Sequence, residues 1–220
     1  MIRFENVSKK YSEEEPEILT EASFQIPHGE MAFLMGDSGS GKTTIFRLLM
    51  RELIPDEGVV RVNGQDISGI KQRKMPEYRR KMGVVFQDFR LIKSQTVYEN
   101  VAIAKRIVGA REKDILNMVK MALRMVGLEK DFYRPVSQLS GGEQQRVCIA
   151  RAIVGNPYCI LADEPTGNLD PEQAREVMLL LERIHRLGIT VFVATHDREA
   201  IRGMEYPKFY LEDGRIYSGE

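Results

Sequence analysis

Cysteine is scarce: two in 220 residues, Cys148 and Cys159, each inside an apolar run. Two thiols so placed build neither a disulfide framework nor a cysteine metal site. They read as buried and inert, in a reducing compartment. Net charge is absent as well, with 32 Lys and Arg against 32 Asp and Glu. A dedicated nucleic-acid binder is usually strongly basic, so no direct nucleic-acid partner is expected; a local basic patch stays open. No apolar run approaches the ~18–20 residues of a membrane span. The opening "MIRFENVSKKY" carries no signal-peptide pattern, so the expectation is a chain soluble by itself that still has the option of docking on a membrane protein. Repeats of solenoid period, low-complexity tracts and long linkers are missing too. Of three histidines, His28 and His185 have no chemical context and read as background.

What is present is ordinary in bulk and specific in detail. A hydrophobic content of 43% and a charged content of 29% suit one soluble globular domain. "IRFENVSKKY", "EASFQIPHGE" and "GVVRVNGQDI" read as short strands with turns, an antiparallel element near the start. "MAFLMG" then runs into glycine-rich "GDSGSGKT" and helical "TIFRLLMREL", which is strand, loop, helix. The middle is mostly helical. "REKDILNMVKMALRMVGL" puts Ile115, Met118, Val119, Ala122, Met125 and Val126 on one face, read as core, with Gly127 as the stop. "YCILADE" and "ITVFVATHD" read as buried strands around the helix "DPEQAREVMLLLERIHRLG". That helix has Asp170 as cap, Pro171 in the first turn and Gln173 at capping-box spacing. Alternating buried strands and helices predict an α/β fold with a mostly parallel sheet.

"GDSGSGKT" matches G-x-x-x-x-G-K-[ST] in full, in the required strand–helix context. The stretch Gly36, Asp37, Ser38, Gly39, Ser40, Gly41, Lys42, Thr43 and Thr44 is therefore the candidate phosphate cradle. Gly36, Gly39 and Gly41 let the loop wrap with amides inward, toward phosphate oxygens. Lys42 would reach the β- and γ-phosphates and Thr43 would hold Mg²⁺. Asp37 is an oddity beside phosphates, and its side chain is expected to point away. Asp163 and Glu164 end a strand, where ligands of parallel sheets bind. Asp163 would hold Mg²⁺, and Glu164 would polarise the attacking water as general base. His196 ends the next strand, where a γ-phosphate contact is favoured over a structural role. Gln87 follows another apolar run as a Mg²⁺ and water contact. Tyr11 is either a surface aromatic or a stacking surface for adenine.

"QLSGGEQQRVCIA" poses a different problem, since it carries no nucleophile. Ser140 and Glu143 have capping-box spacing, which accounts for a helix start. It leaves Gly141 and Gly142 unexplained, because glycine is poor in a first helical turn. Bare amides at a helix N-terminus suit an anion.

Taken in order, "GDSGSGKT", Gln87, "LSGGEQQR", "CILADE", "GNLD" and His196 resemble the signature set of ABC-type ATPases, over essentially the whole chain. The resemblance implies a P-loop NTPase fold of the ABC ATPase type: a mostly parallel core sheet, an N-terminal antiparallel β element and an inserted helical subdomain. One domain is expected, with residues 1–87 and 156–220 as ATP-binding core and 88–155 as helical subdomain. It also implies ATP and Mg²⁺ as cofactors, hydrolysis to ADP and phosphate, and a homodimer in the ATP-bound state. In such a dimer Ser140, Gly141 and Gly142 of one chain would meet the γ-phosphate held by the other, and Asp170 of "GNLD" is a further candidate nucleotide-binding residue. "FQDFRLI" followed by "TVYENVA" is similar to the cell-division ATPases of the family, which implies division machinery and an integral membrane partner, with the chain peripheral on the cytoplasmic face of the plasma membrane. Phe89, Leu91, Ile92, Val97 and Tyr98 are then candidate partner contacts, with a local core as the competing reading. Lipoprotein-release and macrolide-export ATPases share "LADEPTGNLD" and are the alternative. A phosphate-loop kinase would leave "LSGGEQQR" unused.

Overall fold

The structure, a computed structural model, describes residues 1–219 apart from Glu13 and Glu15, and hydrophobic patterning sorts its strands into two sheets. In chain order the elements are β1 (Ile2–Lys9), β2 (Leu19–Ile26), β3 (Met31–Met35), α1 (Lys42–Leu49), β4 (Glu57–Val62), β5 (Gln65–Asp66), α2 (Met75–Arg80), β6 (Met82–Val85), α3 (Val97–Arg106) and α4 (Glu112–Met125). They continue as α5 (Gly141–Ile153), β7 (Cys159–Asp163), α6 (Pro171–His185), β8 (Thr190–Thr195), β9 (Lys208–Glu212) and β10 (Arg215–Gly219). Strands with one wet face alternate, as β2 does, and form an antiparallel sheet in the order β2-β1-β4-β5. Asn63 and Gly64, both left-handed, make the two-residue turn between β4 and β5.

The second sheet runs β10-β9-β3-β8-β7-β6 and is parallel except for the β9–β10 hairpin at its edge. Its central strands β3 and β8 are buried at every residue, as a sheet covered on both faces requires. Alternate residues feed two cores. Phe33, Ile160 and Val193 face a core shared with α3 to α6. Leu34, Leu161 and Phe192 face a core shared with α1 and the antiparallel sheet. Phe192 meets Phe46 at 5.2 Å and Phe24 at 5.8 Å, joining both elements to the parallel sheet. Such aromatic pairs add about 1 kcal/mol each beyond their burial.

The pattern fails on α4. Ile115, Val119, Ala122, Leu123 and Val126 are buried, but Met118, Met121 and Met125 are 40%, 71% and 42% exposed. The helix lies on the outside of its layer, so only the narrow stripe toward α3 and α5 is covered. Met118 and Met125, expected in the core, flank that stripe. The first helix also stops earlier than "TIFRLLMREL" suggests: α1 ends at Leu49, and Arg51 turns the chain with φ at +56°.

Candidate functional site

β3 ends at Met35, and the loop from Gly36 delivers the chain into α1, whose N-cap is Gly41. Gly41 has φ at +107°, a conformation few L side chains adopt. A Cβ on Gly36 would lie 2.7 Å from the Ser40 Oγ and 2.8 Å from the Leu211 carbonyl oxygen, so only glycine fits there. Asp37 is exposed, and its backbone carbonyl, with that of Gly36, accepts from Lys42. The Lys42 side chain is 5% exposed, and its ammonium has three partners: the Gly36 oxygen at 2.7 Å, the Asp37 oxygen at 2.8 Å and Glu164 Oε1 at 3.1 Å.

Glu164 follows β7 with a left-handed φ of +47°, an uncommon conformation for glutamate of the kind that collects at functional sites. Its second oxygen, Oε2, lies 3.0 Å from His196 Nδ1, just past the end of β8. Lys42, Glu164 and His196 thus form one chain across three segments distant in sequence. Beside it, Asp163 has a buried oxygen, Oδ1, with no hydrogen-bond partner. Burial pushes the Asp163 carboxyl above the usual range, the Thr43 hydroxyl opposes that, and the Glu164 charge adds to it. Ser40 Oγ is another buried oxygen without a partner.

A cavity of about 270 Å³ collects Tyr11, Ser38, Gly39, Gly41, Lys42, Thr43, Thr44, Gln87 and Glu164. A neighbouring hollow takes in Gly36, Asp37, Ser40 and His196. Tyr11 is half exposed; its hydroxyl lies 2.9 Å from Thr44 Oγ1, and the Arg47 guanidinium sits 5.7 Å from its ring centre. Gln87 packs on Gly167, where an added Cβ would be 2.7 Å from its Nε2, and its carbonyl accepts from Asn168 Nδ2 at 2.8 Å.

Ser140, Gly141, Gly142 and Asp170 line neither cavity. Ser140 and Glu143 do form the reciprocal capping box of α5. The Ser140 N–H, first among the causes, holds the Glu143 carboxyl below the usual range. Asp170 caps α6 by accepting from the Gln173 N–H at 2.9 Å. The expected return bond from the Gln173 side chain is not made. Its Oε1 instead accepts from the Gly142 N–H, 3.1 Å away on α5. The reason is packing: α6 starts against the bare glycine face of α5, where a Cβ on Gly142 would crowd the Gln173 side chain at 3.1–3.2 Å.

Several contributors were not legible in the sequence. Phe89 and Arg90 are consecutive left-handed residues just after Gln87. Arg151 of α5 holds that strained pair, donating to the Phe89 carbonyl at 2.8 Å and the Arg90 carbonyl at 2.6 Å. Gln145, fully buried, donates to the Pro165 carbonyl at 2.7 Å. Among the proposed partner contacts, Val97 is fully buried and belongs to the core. Phe89, Leu91 and Tyr98 are half-buried against that core, and Ile92 is 37% exposed.

Residues 19–167 match the ABC transporter family. The cell division ATP-binding protein FtsE of Mycobacterium tuberculosis is 46% identical over 220 residues, all of this chain and 96% of that protein. The protein of the same name from Escherichia coli K12 is also 46% identical, over all of this chain and 98% of its own length. Among solved structures, the dimeric post-hydrolysis state of the ATP-binding cassette MJ0796, bound to ADP and phosphate, superposes with a TM-score of 0.87 at 35% identity, covering 100% of this chain and 98% of that one. With these likenesses running end to end, the chain belongs to the ABC transporter family of ATPases.

Proposed function

We propose that this chain is the ATP-hydrolysing subunit of the bacterial cell-division complex FtsEX, closing as a homodimer on ATP and passing that closure through the membrane protein FtsX to septal cell-wall hydrolases. The observation that carries the catalytic part is the Lys42–Glu164–His196 chain at the mouth of the phosphate loop. Lys42 has spent its donors on loop carbonyls and on Glu164, which are poorer partners than phosphate oxygens. Triphosphate in the cradle would draw Lys42 off those carbonyls and off the carboxylate. Glu164 is then free to take a proton from the attacking water, with His196 steering its other oxygen.

Residues at the site fit Mg²⁺. The cation prefers a few hard oxygens together with substrate phosphates. Asp163 presents a buried, unpartnered oxygen near the Thr43 hydroxyl, and Gln87 brings an amide to the same cavity. Bound there, the ion would neutralise charge developing on the transferred phosphate. Asp163 and Thr43 would hold it, and Gln87 would orient water.

Ser140, Gly141 and Gly142 lie outside their own chain's cavity, which favours a second copy as the source of the missing γ-phosphate contacts. The MJ0796 cassette, dimeric with ADP and phosphate bound, supports a homodimer. Only a ligand that binds the closed and open states unequally drives such a cycle, and the γ-phosphate is the group that differs. We assign residues 88–155 as the helical subdomain of a single domain whose core is 1–87 and 156–220. No helix among the described residues is long and apolar enough to cross a membrane. The chain would instead sit on the cytoplasmic face of the inner membrane, with FtsX docking on the segment from Phe89 to about Val108 through the exposed Ile92.

Glu164→Gln is the decisive test. ATP binding should persist while turnover falls by about 10²–10⁴-fold, the usual worth of a general base. Steady-state hydrolysis at the wild-type rate would remove Glu164 from that role.

A further inference from the structure

The chain is neutral overall, yet residues 71–81, "KQRKMPEYRRK", hold six basic side chains against one acid, Glu77. Packing keeps that charge on the surface. Met75 and Tyr78 are buried, and the Tyr78 hydroxyl donates to the Leu49 carbonyl at 2.6 Å. Arg79 donates to the Met50 carbonyl at 2.9 Å and the Arg51 carbonyl at 3.2 Å. These bonds pin α2 to the C-terminal end of α1, the end away from the phosphate loop. Lys71, Arg73, Lys74, Arg80 and Lys81 are left exposed. Among the described residues only Lys81 of these has an acid in reach, Glu77 at 3.6 Å with both side chains largely in water.

The cations adjoin exposed aliphatics. Arg79 and Arg80 share a groove of about 580 Å³ with Lys105, Ile107 and Val108. Ile107 is 69% exposed and Val108 is 38% exposed. Cations beside aliphatic side chains match a lipid interface, where headgroup charge lies over hydrocarbon. A surface for single-stranded nucleic acid would be expected to offer aromatic faces for stacking, and the run's one aromatic, Tyr78, is buried.

We propose that residues 71–81, with Ile107 and Val108, form a membrane-facing surface that binds anionic lipid headgroups and holds the chain against the bilayer beside its integral partner. This rests on the membrane-docking reading above, because the same groove ends on the segment assigned to that partner.

Each cation near an anionic surface raises partitioning about fivefold. The whole chain would be sedimented with phosphatidylcholine vesicles, with and without about 30% phosphatidylglycerol. Binding is expected on the anionic vesicles only, and is lost at high salt as surface charge is screened. K71E/R73E/K74E should weaken it by at least about 100-fold, and R80E/K81E by at least about tenfold. K113E/K120E/K130E, the same charge change on exposed lysines outside the patch, should not. Equal binding to neutral vesicles, equal loss in that control, or unchanged binding in either reversal set overturns the proposal. Displacement from vesicles by stoichiometric duplex DNA or RNA reassigns the surface to nucleic acid and overturns it as well. ATP hydrolysis is read on the same samples. A wild-type chain that binds anionic vesicles but does not hydrolyse ATP would sink the proposed function and leave this surface standing.

Discussion

Gln173 gives the sharpest handle on closure. Its Oε1 occupies the Gly142 N–H at 3.1 Å in the single chain. If Gly142 is to donate to a phosphate across a dimer, that bond must break first. A neutral hydrogen bond of this kind contributes about 1 kcal/mol net. A twofold dimer breaks two of them, so the chain's own glutamine opposes closure by about 2 kcal/mol. Gln173→Ala removes the competitor. The Asp170 cap, which uses the Gln173 backbone, is untouched. In the hydrolysis-blocked Glu164→Gln background with ATP, the dimer dissociation constant should fall about 30-fold, at 1.4 kcal/mol per tenfold. Sedimentation velocity over a concentration series would measure it. A dissociation constant unchanged within threefold, or raised, would mean that Gly142 keeps its bond to Gln173 in the closed state, and the competition argument would be wrong.

Two further outcomes follow from the same geometry. Asp163 carries a carboxyl whose affinity for its proton is raised, mainly by burial. Raised acid pKa values penalise folding once pH climbs above the unfolded value of about 4. Asp163→Asn should therefore melt at a higher temperature than wild type at neutral pH without Mg²⁺, and should lose the Mg²⁺-dependent part of ATP turnover; a lower Tm would contradict the burial argument. Arg151→Ala leaves the Phe89 and Arg90 carbonyls without their charged donor. Urea unfolding should report a loss of about 1.5–3 kcal/mol, the range for bonds to a charged group, and no change would show that the strained turn holds itself.

How far the site was legible depends on how local its causes are. The phosphate loop declares itself because Gly36, Gly41 and Lys42 act through the backbone of one short stretch. The buried runs of β3, β7 and β8 declare a covered sheet for the same reason. Acids at Asp163 and Glu164 follow from strand polarity, since the carboxyl ends of parallel strands share one edge. The capping box of Ser140 and Glu143 was readable too, being only four residues long.

Tertiary packing decided the rest, because its causes lie between elements. The spacing of Asp170 and Gln173 was correct, but the side chain left its own helix for Gly142, a choice set only by where α6 meets α5. Exposure of Met118 and Met125 was invisible to periodicity, which counts apolar positions without knowing how wide a stripe the neighbours cover. Val97 sank into the core for a related reason, its helix α3 lying against α5. The Lys42–Glu164–His196 chain joins Lys42 to a residue more than a hundred positions away and on to a third strand end, so hydrogen bonding could select it only after the sheet had aligned its strands. Sequence determined which chemistry the chain carries and the order of its elements. Three-dimensional packing decided which of those groups touch, because contact between distant segments is set by the surfaces they bury together.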